Sequence, residues 1–486
     1  MRARRPAIVL LLATSAAACG PNTAPAPDVS VNDVSVNDVS ATDAPSSPDV
    51  ATVEDATTTP DATAPSGDPT WWRDIKPIAD QMCNNCHVAG GIGPMALVDY
   101  ATVRPMARLI ANQVRDRIMP PWMPREGCRD VRDSRALTDA EIAKFVAWEA
   151  AGAPEGNMAD YRAPAARPNT SRPLPARDGD IVVQPSGMYL PNQSLTDDYH
   201  CFIMDPALTT TRDVIGVRVT PGNARIVHHV ILFEVRERSL PDLQRLDDAE
   251  PGPGYTCYGG AGVNPNVRAG TDGDLVDMSV QMVTGWAPGG VAGYFPTGTG
   301  VRLKPGSRLV MQVHYNLQAA TRGMNDRSRV DLFLADAAAS TQQAFWLPQA
   351  NQSFTVPAGV PPTDPRATVV SNFRNTQLPV RIFGVAPHMH TRGHSIRVEA
   401  INASSASTCL VDIPRWDFHW QQGFFFQTPY RTAAGAMGDT FRTTCVYDNR
   451  PENQPYVDGV QVAPRDLRWG EGTNDEMCLN FFYVSI

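Results

Sequence analysis

The sequence predicts a small all-α unit followed by antiparallel β-sandwiches, and two patterns carry that reading. Between residues 70 and 158, apolar residues recur at helical spacing. After Asp178 the pattern changes to short runs rich in Val, Ile, Leu and Phe, separated by Gly and Pro clusters. A chain of 486 residues with 43 prolines and 36 glycines is long enough for several domains and rich in loops.

The start of the chain reads as an address. Arg2, Arg4 and Arg5 precede the apolar run Ala7 to Ala13, which is too short to span a bilayer and reads as the core of an export signal over residues 1–18. Ala16-Ala17-Ala18-Cys19 resembles a bacterial lipobox, in which the cysteine is lipidated and becomes the mature N-terminus; ordinary signal cleavage is the alternative. Residues 19–69 follow as a tether. From Gly20 to Pro69 there are nine acids, no Lys or Arg and no aromatic residue, and VNDVS repeats at Val31–Ser40. Such a composition cannot bury enough apolar area to offset its ordering entropy. The formal charge of −9 is matched by those nine acids, and no basic patch argues for nucleic acid. The expectation is an exported lipoprotein, anchored to a membrane by its N-terminal lipid and facing the periplasm or cell surface.

In the α unit, Trp71, Trp72, Ile75 and Ile78 form one apolar face. Thr138 with Glu141 makes a capping box ahead of Ile142, Phe145, Val146 and Trp148, and Gly152 ends that helix. Between these elements stands Cys83-Asn84-Asn85-Cys86-His87, the C-x-x-C-H attachment pattern of c-type haem. Two thiols three residues apart on one turn reach both vinyl groups, and the adjacent histidine faces the iron; a zinc site or chance match is the plain alternative. Residues 70–158 are therefore expected to form a cytochrome c domain holding one covalent haem c. A low-spin haem needs a second axial ligand, and Met119, in Arg117-Ile118-Met119-Pro120-Pro121-Trp122, is the leading one, with Met123, Met106 and Met95 as alternatives. Residues 159–178, Pro- and Arg-rich with no apolar periodicity, read as a linker.

The β region holds the remaining histidines. Strands are expected at Val214–Val219, Ile226–Val235, Arg308–Tyr315, Val330–Leu334, Val380–Val385 and Asn480–Ile486. His388-Met389-His390 has i, i+2 spacing, which puts both rings on one face of a strand as a ready chelate. His228-His229 is different, because neighbours on a strand point to opposite faces. Both can reach one metal only through a bulge or by different ring nitrogens, and a third histidine nearby would complete the site.

Val227-His228-His229-Val230, Gln312-Val313-His314-Tyr315, His388-x-His390 and Asn474-Asp475-Glu476-Met477-Cys478 together resemble the copper type II ascorbate-dependent monooxygenases, over Asp178 to Ile486. The resemblance implies two tandem jelly-roll-like domains, 179–338 and 339–486, each holding one copper. His228, His229 and His314 would bind the electron-transfer copper; His388, His390 and Met477 would bind the catalytic, oxygen-activating one. Imidazole suits copper, and a thioether favours the cuprous state. The resemblance also implies a Cys445–Cys478 bridge; Cys201 with Cys257 is a further pairing, and Cys128 and Cys409 stay unassigned. His200 and His419 are assigned to structure, and His394 to a surface turn or a supporting role.

One part of the family pattern is missing. The arginine, tyrosine and asparagine that hold a peptide carboxylate in the peptide-hydroxylating members correspond here to Ala386, Leu479 and Phe481. The expected substrate is an uncharged or apolar small molecule, with Trp416 to Tyr430 as either a pocket wall or ordinary core. The function expected is hydroxylation of a C–H bond with dioxygen. Electrons would come through the fused haem, from ascorbate, or from a redox protein. The rival reading is a non-catalytic electron-transfer or copper-binding lipoprotein.

Overall fold

A computed structural model describes residues 67–485, apart from 90–92, 168–169, 172, 270–275, 289, 291, 337–341, 376–378, 433–437 and 458. The export signal, the lipobox cysteine, the acidic tether up to residue 66 and the 338/339 division lie outside the described residues. Among the described residues, no helix is long and apolar enough to cross a membrane.

Helices gather near the start. Trp71–Ile75 runs directly into Lys76–Met82, followed by Tyr100–Val103, Ala107–Arg115 and Asp139–Ala150. Their core holds Trp71, Ile75, Phe145 and Trp148, with the two indole rings 6.1 Å apart. Thr138 and Glu141 form a complete capping box, and Gly152 takes φ +85° where the last helix stops.

The rest is mostly β. A nine-stranded sheet runs in the order Ile181–Val183, Arg329–Asp336, Arg212–Thr220, Thr299–Leu303, Gln342–Asn351, Cys478–Ser485, Arg381–His388 and Phe424–Arg431, with Gly293–Tyr294 paired beside Arg212–Thr220. A five-stranded sheet (Tyr255–Thr256, Asp197–Met204, Arg308–Asn316, Val227–Val235, Val280–Trp286) covers one half of it. Leu232, Met311 and Val313 there meet Val214, Val301 and Leu332 in one apolar core. A four-stranded sheet (Thr368–Arg374, Thr440–Tyr447, Gly393–Ile401, Ser407–Ile413) covers the other half, where Ile396, Val398 and Phe441 meet Val385, Phe424 and Phe482. The two sandwiches therefore share a sheet. They join where Thr299 and Gly300 pair in parallel with Gln342 and Gln343.

Among the described residues three disulfides are formed: Cys201–Cys257, Cys445–Cys478 and Cys128–Cys409. The last ties the segment after the helix Ala107–Arg115 to the strand Ser407–Ile413, across 281 residues of sequence. Around it the backbone of Arg125 bonds to Asp412 and that of Arg132 to Phe425, and Gln427 N–H donates to the Asp130 carbonyl. The stretch expected as a linker is held along its described residues. Tyr161 donates to Asp80 at 2.8 Å, Arg167 reaches Glu141 at 2.6 Å, and Arg218 donates to the Pro175 carbonyl at 2.5 Å.

Candidate metal centres

The strand Val227–Val235 lies antiparallel to Arg308–Asn316, with His229 opposite His314 and Val227 opposite Tyr315. His228 is the extra residue between these pairs. This bulge turns two adjacent imidazoles to the same side of the sheet. Their Nδ1 atoms lie 3.4 Å apart, close to the ~3.3 Å between two donors that each bond one ion at about 2.0 Å. His314 completes the group: the three histidines offer ligand nitrogens all within 4.8 Å of one another.

His314 is oriented from behind. Its Nε2 donates to Asp197 Oδ1 at 2.9 Å, which leaves Nδ1 as the lone-pair nitrogen; that atom is buried and has no hydrogen-bond partner. The Tyr199 ring stacks on the imidazole at 4.0 Å. Asp197 also accepts from Thr473 Oγ1 at 2.5 Å and Asn316 at 3.0 Å. Burial works to raise the Asp197 carboxyl's pKa, but these bonds outweigh it and hold it well below the usual range. His228 and His229 are pushed far below the ordinary imidazole value, by burial first and by neighbouring imidazoles next. Neutral rings with a free nitrogen each make a donor set that fits copper.

The second pair sits at the edge of the other sandwich. His388 ends the strand Arg381–His388, and His390 lies just past it, so only the first of the pair is a strand residue. The alternation still holds: Met389 is fully buried in the core, while the two histidine rings meet at 5.1 Å and 87°. His388 Nδ1 bonds to Gln421 Oε1, and His390 Nδ1 to the Asp475 carbonyl at 3.1 Å. Each ring thus keeps Nε2 for a ligand. Burial lowers the pKa of His388 to about 4 and, with His388 adding to it, that of His390 to about 3.

Met477 is buried one residue before the strand Cys478–Ser485, and its carbonyl accepts from Tyr447 at 2.9 Å. Its neighbour Glu476 accepts the backbone N–H of His390 at 2.9 Å and of Arg392 at 2.7 Å, which ties the methionine's loop to the histidine's. The Cys445–Cys478 bridge anchors that loop on its other side.

Asp197 and Gln421 escaped the sequence reading, and Phe418 stood there only as one of an aromatic run that was either a pocket wall or ordinary core. A lone acid in a strand, an amide and an aromatic in a loop carry no spacing signal, because their partners are more than 30 residues away in sequence for the two shortest of these contacts. Phe418 stacks on His228 at 4.4 Å and meets His390 at 6.0 Å, so one ring touches both groups. In the rest of that aromatic run, Phe424 and Phe426 are core of one sandwich and Phe425 packs on the other. His200 bonds to the Pro253 carbonyl at 2.9 Å, His419 pairs with Asp417 at 3.2 Å, and the exposed His394 is the second residue of the strand Gly393–Ile401.

A third group lies in the helical region. Cys83 and Cys86 are free thiols, whereas the other six cysteines among the described residues are bridged. Burial pushes Cys83 up to about 12. His87 Nδ1 bonds to the Met95 carbonyl at 3.0 Å, again leaving Nε2 for a ligand. A Cβ on Gly93 would stand 2.6 Å from that ring, so glycine is what lets the chain pass there. Of the candidate methionines, Met95 and Met106 pack on the helical core, and Met123 Sδ accepts from Asp417 N–H at 3.2 Å on the C-terminal sandwich. Met119 is half-buried at the end of the turn after Ala107–Arg115.

Residues 359–484 match the C-terminal domain of the copper type II ascorbate-dependent monooxygenases. That span contains His388, His390, Phe418, Gln421 and Met477. Tyramine beta-hydroxylase of Caenorhabditis briggsae is 21% identical over 372 residues, 73% of this chain and 54% of the relative. DBH-like monooxygenase protein 1 of Gallus gallus is 22% identical over 278 residues, 54% of this chain and 40% of the relative. Dopamine beta-hydroxylase of Rattus norvegicus is 22% identical over 333 residues, 65% of this chain and 48% of the relative. The chain spans about half the length of these curated relatives. These matches support an oxidoreductase of the copper type II monooxygenase class, with copper as its cofactor.

Proposed function

We propose that this protein is an exported two-copper monooxygenase that hydroxylates a C–H bond of an uncharged or apolar small molecule with dioxygen. The observation that carries the reading is the pair of converging, neutral imidazole groups, one with a buried methionine in the adjoining loop. Copper at these sites would supply the one-electron steps by which dioxygen is reduced. His228, His229 and His314 would hold the electron-donating ion, with Asp197 fixing the third ring. His388, His390 and Met477 would hold the oxygen-activating ion, with Gln421 and the Asp475 carbonyl fixing the two rings.

The substrate class follows from the face beside His388. Ala386, two residues earlier on the same strand, is paired with Phe481, and His388 itself with Leu479. These side chains are apolar and carry no charge to hold a carboxylate. The names of the relatives suggest small aromatic amines as first compounds to try, and the apolar face favours their uncharged analogues.

The free Cys83 and Cys86, with His87 held through Nδ1, fit covalent haem c, and Met119 would be the methionine that completes its ligand set. Haem there would supply a one-electron donor beside ascorbate or an external redox protein. The three disulfides agree with an oxidising compartment, and the N-terminal pattern with lipid anchoring. The test is dioxygen consumption by copper-loaded protein with ascorbate, against a panel of neutral and charged aromatic compounds. Substrate-dependent uptake with stoichiometric hydroxylated product is expected. Copper binding without uptake across the panel would favour a non-catalytic electron-transfer or copper-binding lipoprotein.

A further inference from the structure

The helical region that holds the C-x-x-C-H unit is fastened to one particular half of the molecule. Its segment between the helices Ala107–Arg115 and Asp139–Ala150 carries Cys128, which is bridged to Cys409 in the C-terminal sandwich, and Val131 pairs with Phe426 as a short β-bridge. Trp122 meets Phe424 edge to face at 5.5 Å, and Met123 accepts from Asp417, next to Phe418. Each of these partners belongs to the half of the molecule that holds His388 and His390. These contacts fall on the second half of the β region and not on the half that holds His228, His229 and His314.

Within that interface one line of polar groups leads inward. Arg135 donates to Gln422 Oε1 at 2.8 Å, and Gln421, the next residue, holds the His388 ring through its Nδ1. On the other side, the carbonyl of Ala136, the neighbour of Arg135, accepts from Arg167 at 2.9 Å, and Arg167 also donates to Gln81 at 3.1 Å, on the helix Lys76–Met82 that ends one residue before Cys83.

Building on the haem reading above, we infer that Arg135, Gln422 and Gln421 form the route by which electrons pass from the C-x-x-C-H unit to the His388–His390–Met477 centre directly, without passing through His228, His229 and His314. The step balances: one electron leaves ferrous haem, which becomes ferric, and reduces one cupric ion to cuprous, with no bond made or broken. The Cys128–Cys409 bridge keeps the donor docked, replacing a diffusional encounter by an intramolecular one.

The test is pulse radiolysis of oxidised, full-length, copper-loaded protein without oxygen, following the ferrous haem absorbance. A first-order decay independent of protein concentration is expected. It should persist in His314→Ala and vanish in His388→Ala and in Met477→Ala. Gln422→Ala and Arg135→Gln should each slow it by about tenfold or more while leaving the haem spectrum and copper content intact. Decay lost in His314→Ala but retained in His388→Ala would overturn the route, as would equal rates in all variants. Absence of any ferrous haem band would instead overturn the haem reading itself, and the route with it.

Discussion

The Phe418 ring lies nearly parallel to the His228 imidazole, 4.4 Å away at 19°, while it meets the His390 ring at 6.0 Å and 77°. The two histidine groups come from opposite halves of the molecule, yet one buried side chain touches both. Nearby, Asp197 links them a second time, since it holds His314 and also the Thr473 hydroxyl, four residues before Met477.

Phe418→Leu should therefore keep both coppers and weaken communication between them. Leucine preserves apolar volume but removes the stacked ring, so metal content stays at two while hydroxylation per dioxygen consumed falls and peroxide release rises. Peroxide and product measured against oxygen uptake check this. Unchanged coupling would make Phe418 a packing residue only. Phe418→Ala should in addition lower thermal stability, by up to ~3–5 kcal/mol for a buried ring.

Asp197→Asn should weaken copper at the first group selectively. The amide cannot fix the His314 tautomer as a carboxylate does, and loss of such a partner typically costs about 10–100-fold in affinity. Copper titration should show one weakened and one unchanged site. Equal weakening at both would mean that Asp197 acts through the Thr473 loop instead.

Much of this was legible from sequence. Among the described residues all six expected stretches contain a strand, two of them beginning one residue late at Val227 and Arg381, since period-2 and continuous apolar runs bounded by Gly and Pro leave few alternatives. The His228-His229 pair announced a bulge or a switch of nitrogens, and the register shows the bulge. What stayed hidden was long-range. Nothing local marks Cys128 as the partner of Cys409, because connectivity follows from which surfaces pack. The parallel joint at Thr299–Gln342 was invisible for the same reason, as was the docking of Trp122 and Met123 on the C-terminal half.

Met477→Ala should abolish substrate-dependent oxygen uptake while the first group keeps its copper. A thioether favours the cuprous ion that meets dioxygen, and alanine supplies no donor. Uptake in the variant at more than about a tenth of the native rate would remove Met477 from the ligand set.

Met119→Ala should open the sixth position of the haem. Low-spin ferric absorption should give way to a high-spin or exogenous-ligand-binding spectrum, with haem still covalently attached through Cys83 and Cys86. An unchanged reduced spectrum would move the axial ligand elsewhere.

The central claim is two coppers in two defined histidine groups, and anomalous diffraction at the copper absorption edge tests it most directly. The account predicts two peaks per chain: one among the Nδ1 atoms of His228, His229 and His314, the other between the Nε2 atoms of His388 and His390 and the Met477 sulfur. A single peak, or a signal at the zinc edge in protein matured with excess copper, would contradict it.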